Sequence, residues 1–350
     1  MEIGVYTFAD LSTHPITKQT ITPHQRMLNL IEEIELADQL GLDVFAVGEH
    51  HRPDYLISAP AVVLGAAAVK TKNIKLSSAV TVLSSDDPVR VFQQFAEVDL
   101  LSGGRAEIMA GRGSFIESFP LFGYNLEDYN ELFSEKLEML LQLNEAEIFS
   151  WKGKHTQTIT KRGVYPRPHQ KKLPIWIGVG GTPESVVRAA EHGLPMALAI
   201  IGGLPTHFVP YLQLYRNVYT KAGYDISKMQ LSINSHTYIA DDAQQARDEF
   251  YPPYADVMNR IGRERGWPQG TREQFDASTE TEGALLVGSP EQVIDKIVYQ
   301  HELFNHTRFL AQMSLGAMPH DKILHSLELL GTRVMPAVKK YTAQKDDAGN

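Results

Sequence analysis

A glycine-rich stretch between a predicted strand and a predicted helix is the first feature that could bind a ligand. It runs Val179, Gly180, Gly181, Thr182, and Pro183 then stands where helices often begin. Glycines let a backbone approach a ligand closely, and a helix N-terminus presents unpaired N–H groups and the positive end of its dipole. The pattern is that of a phosphate site, although a tight turn without a ligand explains it equally well.

An arginine between two glycines is the second such feature. Arg112 follows a predicted strand, and Ser114 comes two residues later. A guanidinium pairs with phosphate through two hydrogen bonds, so Arg112 is a candidate to bind the same anion as the glycine-rich stretch. Ser114, in the same loop, is a further candidate. A bracing salt bridge from Arg112 to Asp99 or Glu107 is the alternative, slightly favoured by this segment alone. Together with the glycine-rich stretch, the pattern favours an anion site.

Two adjacent histidines, His50 and His51, follow another predicted strand. Neighbouring side chains on a strand point in opposite directions, so the pair is badly placed to bind one metal ion, and we predict no metal site. Imidazole titrates near neutral pH, so one inward-facing histidine, His50, could donate or accept a proton beside a ligand. A hydrogen-bonded structural histidine is the alternative.

Short apolar runs that alternate with amphipathic stretches would position these residues. Eight runs are predicted strands: residues 2–7, 44–49, 75–83, 106–111, 175–179, 196–200, 231–238 and 308–313. They are rich in Val, Ile and Ala, which is typical of parallel strands buried on both faces. Eight strands alternating with helices predict an α/β fold, a (β/α)8 TIM barrel with insertions, whose active site lies in the loops after the strands.

The β/α pattern predicts a single domain over residues 1–340. Two polar stretches rich in glycine, proline or threonine interrupt it and are predicted insertions, about residues 150–174 and 263–283. The polar end of the chain, residues 341–350, is predicted to be a disordered tail.

The composition is that of a soluble protein and excludes several classes of function. The 350 residues carry 33 lysines and arginines against 42 aspartates and glutamates, a net charge of −9, without a basic block for nucleic acid. The absence of cysteine excludes disulfides, thiolate metal sites and a cysteine nucleophile. The N-terminus lacks the pattern of a signal peptide, and no apolar stretch reaches the ~20 residues that span a bilayer. We therefore expect a cytoplasmic protein without a nucleic-acid or membrane partner.

Several segments, taken in order, resemble the bacterial luciferase-like flavin-dependent monooxygenase family, the LLM class of flavin-dependent oxidoreductases. They read Val-Gly-Glu-His-His at 47–51, Leu-Ser-Ser-Ala-Val-Thr-Val-Leu at 76–83 with Asp-Pro-Val-Arg at 87–90, Leu-Ser-Gly-Gly-Arg at 101–105 leading into Gly-Arg-Gly at 111–113, Ala-Ala-Glu-His-Gly-Leu-Pro at 189–195 and Val-Gly-Ser-Pro-Glu at 287–291. The resemblance extends over residues 3–336 and implies a TIM barrel that binds FMN at its C-terminal mouth.

The resemblance also implies roles for individual residues. Arg112 matches the family's phosphate-contacting arginine, and Gly181 and Thr182 match its phosphate loop. Ala79–Val80 matches a strand position where members often have a non-prolyl cis peptide against the flavin ring. His50 matches a histidine implicated in flavin chemistry in light-emitting members. Those members also have a reactive cysteine where this chain has Gly111, so we do not expect luminescence.

The activity implied by the resemblance is monooxygenation of a small organic substrate with reduced flavin and O2. The reduced flavin would come from a separate flavin reductase or from bound nicotinamide. Two alternatives on the same barrel are hydride transfer with a deazaflavin and flavin binding without turnover. A lyase acting on a phosphorylated substrate ranks lower, because it would require a catalytic lysine at the end of a strand, and Lys75 lies at the wrong end of its strand. Members commonly dimerise through the helices here at residues 59–69 and 89–101, so we expect a homodimer.

Overall fold

Short apolar runs form the strands of a closed parallel barrel in this computed structural model, which describes residues 1–348. The strands are β1 Glu2–Thr7, β2 Val44–Val47, β3 Lys75–Ser78, β4 Thr81–Val82, β5 Ala106–Gly111, β6 Ile148–Trp151, β7 Ile159–Gly163, β8 Ile175–Val179, β9 Met196–Ala199, β10 Leu231–Ile239, β11 Leu286–Gly288 and β12 Arg308–Gln312. The barrel order is β1, β2, β3, β5, β8, β9, β10 and β12, and β12 pairs with β1 to close it. The predicted TIM barrel is confirmed, and each predicted strand contributes to it.

Most helices of the outer layer begin where a proline or a capping side chain predicts a start. The hydroxyl of Thr22 and the carboxylate of Asp87 accept from backbone N–H groups of the first turn, and Ser289 forms a capping box with Gln292. The helices are α1 Pro23–Gln39, α2 Pro60–Lys70, α3 Pro88–Ser102, α4 Ser118–Phe122, α5 Tyr129–Glu145, α6 Pro183–Glu191, α7 Val209–Lys221, α8 Ala243–Arg265, α9 Arg272–Thr279, α10 Pro290–Phe304, α11 His320–Leu329 and α12 Met335–Ala348. Over residues 1–348, no helix is long and apolar enough to cross a membrane.

The two predicted insertions contain regular structure. The hairpin of β6 and β7 is antiparallel and overlaps residues 150–174. The end of α8, a short loop and α9 fill most of residues 263–283. The predicted disordered tail is instead helical as far as Ala348, with residues 349–350 outside the described part. Lys345 pairs with Glu302 at 2.6 Å, and the Tyr341 hydroxyl contacts the same carboxylate, which ties α12 to α10.

A buried ion pair fills the N-terminal end of the barrel. Nη1 of Arg308 lies 2.7 Å from Oε2 of Glu107, and its guanidinium lies 4.2 Å from the ring centre of Trp176. Asp99 accepts hydrogen bonds from the backbone N–H and the side-chain amide of Gln170. Glu107 and Asp99 therefore have partners other than Arg112. The alternative prediction, a salt bridge from Arg112 to one of these carboxylates, is wrong.

Candidate active site

A cavity of about 430 Å³ opens at the carboxyl ends of the barrel strands. This is the end where a parallel barrel gathers the loops that carry chemistry. Eight of the nine predicted site residues line the cavity: His50, Ala79, Val80, Arg112, Ser114, Val179, Gly180 and Thr182. The ninth, Gly181, lies in the same turn, where its carbonyl oxygen accepts from the Tyr211 hydroxyl at 2.8 Å.

Arg112 lies at one end of this cavity and donates hydrogen bonds to two neutral side chains. Its Nη1 donates to Oδ1 of Asn130 and its Nη2 to the hydroxyl of Thr182, both at 2.7 Å. The guanidinium also lies 4.9 Å from the ring centre of Tyr129. No carboxylate of residues 1–345 pairs with Arg112, so its positive charge is available to an anionic ligand.

The glycine-rich turn beside Arg112 leaves open space above its backbone. A Cβ atom built on Gly180 or Gly181 would meet no heavy atom within 4 Å. The Thr182 hydroxyl does not cap α6; it contacts Arg112 and, at 2.9 Å, the Ser185 hydroxyl. The first N–H groups of α6, one guanidinium and one hydroxyl therefore border the same space, which is the donor set that a phosphate requires.

Val80 forms a wall of the cavity close to two glycines. The Ala79–Val80 peptide is cis, as the resemblance implies. A Cβ atom on Gly111 would lie 2.6 Å from Cγ2 of Val80, and one on Gly178 would lie 2.7 Å from Cγ1. Real Cβ atoms do not come this close, so both positions require glycine while Val80 keeps this place. The cysteine of light-emitting members could not replace Gly111 without moving this wall.

His50 lies in an aromatic environment and is electrically neutral. Its ring centre is 4.4 Å from that of Phe8, 4.5 Å from that of Tyr55 and 5.1 Å from that of Phe115. Burial, with a smaller contribution from the charge of Arg52, lowers the pKa of His50 to about 3. At neutral pH this imidazole can donate one hydrogen bond and accept another, but it is not a cationic acid.

His51 points away from His50, as expected for neighbours at a strand end. Its Nε2 lies 2.8 Å from Oε1 of Glu49, whose other oxygen accepts from the Val82 backbone N–H at 2.8 Å. The one group with metal-ligand geometry in the described residues is Asp128, Glu131 and His155, none of which lines the cavity. Glu131 there already pairs with Lys154 at 2.5 Å.

Several polar residues of the cavity floor were missed in the sequence. His236 and Asn234 face the cavity from β10, and Gln312 faces it from β12. Burial lowers the pKa of His236 to about 4, and its Nδ1 has no hydrogen-bond partner. A spacing of two puts residues 234 and 236 on one face of a strand, which is the signal that could have identified them.

The outer wall of the cavity comes from α8 and the loop that follows it. Val257, Met258 and Ile261 line it from the helix, and Arg265 and Trp267 line it at the mouth. This segment is fastened to the loop after β2 by a salt bridge of 2.6 Å from Arg52 to Glu264.

Known proteins resemble the chain over nearly its whole length. A model of the luciferase-like monooxygenase family matches residues 1–307. The alkanal monooxygenase alpha chain of Aliivibrio fischeri is 25% identical over 86% of this chain and 90% of that protein. The oxygenase component of the flavin-dependent trigonelline monooxygenase of Acinetobacter baylyi is 25% identical over 93% of this chain and 94% of that protein.

Solved structures share the barrel. The monooxygenase RslO1 from Streptomyces bottropensis has a TM-score of 0.82 at 24% identity, over 96% of this chain and 99% of that chain. The oxygenating constituent of 3,6-diketocamphane monooxygenase from Pseudomonas putida, in complex with FMN, has a TM-score of 0.76 at 20% identity, over 97% and 98%. An F420-dependent secondary alcohol dehydrogenase has a TM-score of 0.73 at 19% identity, over 96% and 98%. On the family match over residues 1–307, the chain belongs to the luciferase-like monooxygenase family.

Proposed function

We propose that this luciferase-like monooxygenase uses reduced FMN and O2 to oxygenate a small organic substrate, and that a separate flavin reductase supplies the reduced FMN. One observation carries the proposal. Arg112, without a carboxylate partner in the described residues, lies beside Thr182 and an open glycine turn at one end of an otherwise largely apolar cavity. That arrangement suits a ligand with a phosphate at one end and a flat apolar ring at the other.

The residues present fit FMN. Arg112, Thr182 and the first N–H groups of α6 would hold the phosphate, and Val80 and the Gly111 backbone would face the ring. Bound FMN supplies the oxygen chemistry, and the protein contributes binding, orientation and shelter from water. His50, neutral and surrounded by aromatic rings, would hold a single proton at one ring nitrogen beside the reacting part of the substrate.

Two similar proteins favour FMN over a deazaflavin. One is a flavin-dependent trigonelline monooxygenase, and the other is a monooxygenase constituent whose structure is in complex with FMN. The F420-dependent neighbour supports the alternative of hydride transfer without oxygen. Flavin binding without turnover is the remaining alternative. The reaction of the bound, reduced cofactor with O2 distinguishes these three functions.

The test is rapid mixing of reduced FMN with aerated buffer, alone and bound to the protein, followed by the return of oxidised-flavin absorbance. The proposal predicts that bound FMN is re-oxidised with a time course unlike that of free FMN and that release of hydrogen peroxide is delayed. Identical time courses for tightly bound and free FMN would favour a protein without turnover. Failure to bind FMN while a deazaflavin binds would favour hydride transfer.

A homodimer through α2 and α3 is also part of the proposal. Val62 and Val69 on α2 are 69% and 66% exposed, and Leu100 and Leu101 near the end of α3 are 49% and 55% exposed. An exposed apolar surface of this kind is typical of a protein interface. Light scattering should give twice 39.1 kDa, and a mass near 39.1 kDa at micromolar concentration would contradict it. We propose a cytoplasmic location, where a flavin reductase could deliver its product.

A further inference from the structure

Arg265 is a second cation at the cavity, and it forms no salt bridge with the side chains of residues 1–345. We propose, on the basis of the proposed function, that the substrate is a flat, largely apolar molecule with a carboxylate, and that Arg265 binds this carboxylate. Arg265 is the last residue of α8, lines the mouth of the cavity and is exposed.

Two other arginines, one on the loop after β2 and one on α8, do not line the cavity and pair with carboxylates. Arg52 pairs with Asp54, Glu117 and Glu264 at 3.3, 2.6 and 2.6 Å. Arg260 pairs with Asp54 at 3.0 Å. Among the side chains of residues 1–345, by contrast, Arg265 has no salt-bridge partner, and its hydrogen bond goes to the carbonyl oxygen of Ser114 at 2.9 Å. A guanidinium has five N–H donors, so most of those of Arg265 are free to bind a ligand.

Aromatic rings hold this guanidinium at the rim. Its central carbon lies 5.4 Å from the ring centre of Phe115 and 5.3 Å from that of Trp267. Such contacts orient an arginine without neutralising it. A ligand carboxylate at the mouth would therefore meet a guanidinium whose position these two rings already fix.

The wall next to Arg265 is apolar and favours a flat hydrophobic body for the substrate. The residues of this wall come from the loops after β1, β2 and β12, from α8 and from the loop after α8. They are Phe8, Tyr55, Leu315, Val257, Met258 and Trp267. A purely apolar substrate would not require a cation at the rim. One unpaired guanidinium beside an apolar wall points instead to an apolar molecule with one anionic end.

Arg265 contacts the loop that carries Arg112, but the two arginines have different hydrogen-bond partners. Arg112 is held by Asn130 and Thr182, whereas Arg265 donates to the carbonyl of Ser114. Two cations that lack carboxylate partners among the described side chains, in one cavity, suit two anions. The proposed function assigns the first cation to the phosphate of FMN and leaves the second for the substrate.

The test compares naphthoate with its uncharged amide, naphthamide, titrated into the protein with and without bound FMN. The variants are Arg265→Gln, Arg265→Lys and the control Arg263→Gln, which makes the same charge change in the same turn of α8 at an exposed residue outside the cavity lining. We expect the unaltered protein and the control to bind naphthoate at least about tenfold more tightly than the amide, the scale of a charged hydrogen bond. Arg265→Gln should abolish this preference and leave amide affinity within about twofold, and Arg265→Lys should keep part of it.

Equal affinities, preference for the amide, failure of both to bind, or a preference that survives Arg265→Gln would each overturn the proposal. A structural role of Arg265 would weaken both probes equally, and that outcome also counts against it. If Arg265→Gln instead lowers FMN affinity and leaves the naphthoate preference, Arg265 contacts the cofactor and the proposal is wrong. If the unaltered protein does not bind FMN but still prefers naphthoate, the proposed function fails and the carboxylate site stands.

Discussion

Nη2 of Arg112 lies 2.7 Å from the hydroxyl oxygen of Thr182, although 70 residues separate the two in the chain. They meet because β5 and β8 are neighbours in the barrel, with Met109 paired to Trp176. The loops after adjacent parallel strands necessarily lie side by side. This contact joins the two sequence features that, taken together, predict an anion site.

Arg112→Ala should weaken FMN binding by about 1.5–3 kcal/mol, because it removes a charged hydrogen-bond donor from the phosphate. Flavin fluorescence titration measures the change. Arg90→Ala, at an exposed arginine of α3, is the control and should leave affinity unaltered. Equal affinity of FMN for Arg112→Ala and the unaltered protein would show that the phosphate lies elsewhere.

His50→Ala should leave FMN affinity within about threefold and lower the rate of substrate oxygenation, since His50 faces the aromatic part of the cavity and not the phosphate end. Because the pKa of His50 is about 3, its titration should not appear in the rate between pH 5 and pH 8. His24→Ala, at an exposed histidine of α1, is the control. An inflection near pH 6.5 that disappears in His50→Ala would contradict the neutral assignment.

Asp10→Asn should stabilise the protein at alkaline pH. Burial raises the pKa of Asp10 from its usual value of 3.8 to about 7. Its Oδ1 accepts from the Gly316 N–H at 2.8 Å, whereas its Oδ2 has no hydrogen-bond partner in the described part of the chain. The folded state thus favours the protonated carboxyl, and stability from this group is lost as pH rises from about 4 to 7. Asparagine resembles the protonated form, so the free energy of unfolding should rise by roughly 1–4 kcal/mol at pH 8 and little at pH 4.

Urea unfolding at the two pH values measures this effect. Asp256→Asn, at an exposed position of α8, is the control. A gain for Asp10→Asn that is the same at pH 4 and pH 8 would rule out the titration of Asp10 as its cause.

His236→Gln should flatten the acid dependence of stability. Burial lowers the pKa of His236 to about 4 from 6.5, so the unfolded state binds a proton that the folded state does not. The stability from this group is present above pH 6.5 and is lost as pH falls toward 4. Between pH 7 and pH 5 the unaltered protein should lose about 2 kcal/mol more than His236→Gln, measured by urea unfolding. His24→Gln is the control. If stability changes with pH equally in the unaltered protein and in His236→Gln, then His236 is protonated in the folded state and the prediction is wrong.

The barrel and the grouping of Arg112 with the glycine-rich turn could be predicted, because both follow from local sequence and strand order. Buried parallel strands are short and apolar, and Arg112 and Thr182 each follow a strand that this apolar pattern identifies. The outer wall could not be predicted, because Val257 and Trp267 reach the cavity only through the way α8 packs. The helical end of α12 was missed for a related reason, since a polar segment gives no sign that Lys345 will pair with Glu302.

The phosphate dependence of flavin binding tests the central claim most directly. Cofactor-free protein would be titrated with FMN, riboflavin and a deazaflavin under one set of conditions, with Arg112→Ala in parallel. We predict that FMN binds at least about tenfold more tightly than riboflavin and that Arg112→Ala removes most of the difference. Equal affinities for FMN and riboflavin, or binding of neither, would contradict the assignment of Arg112, Thr182 and the α6 N-terminus as an FMN phosphate site.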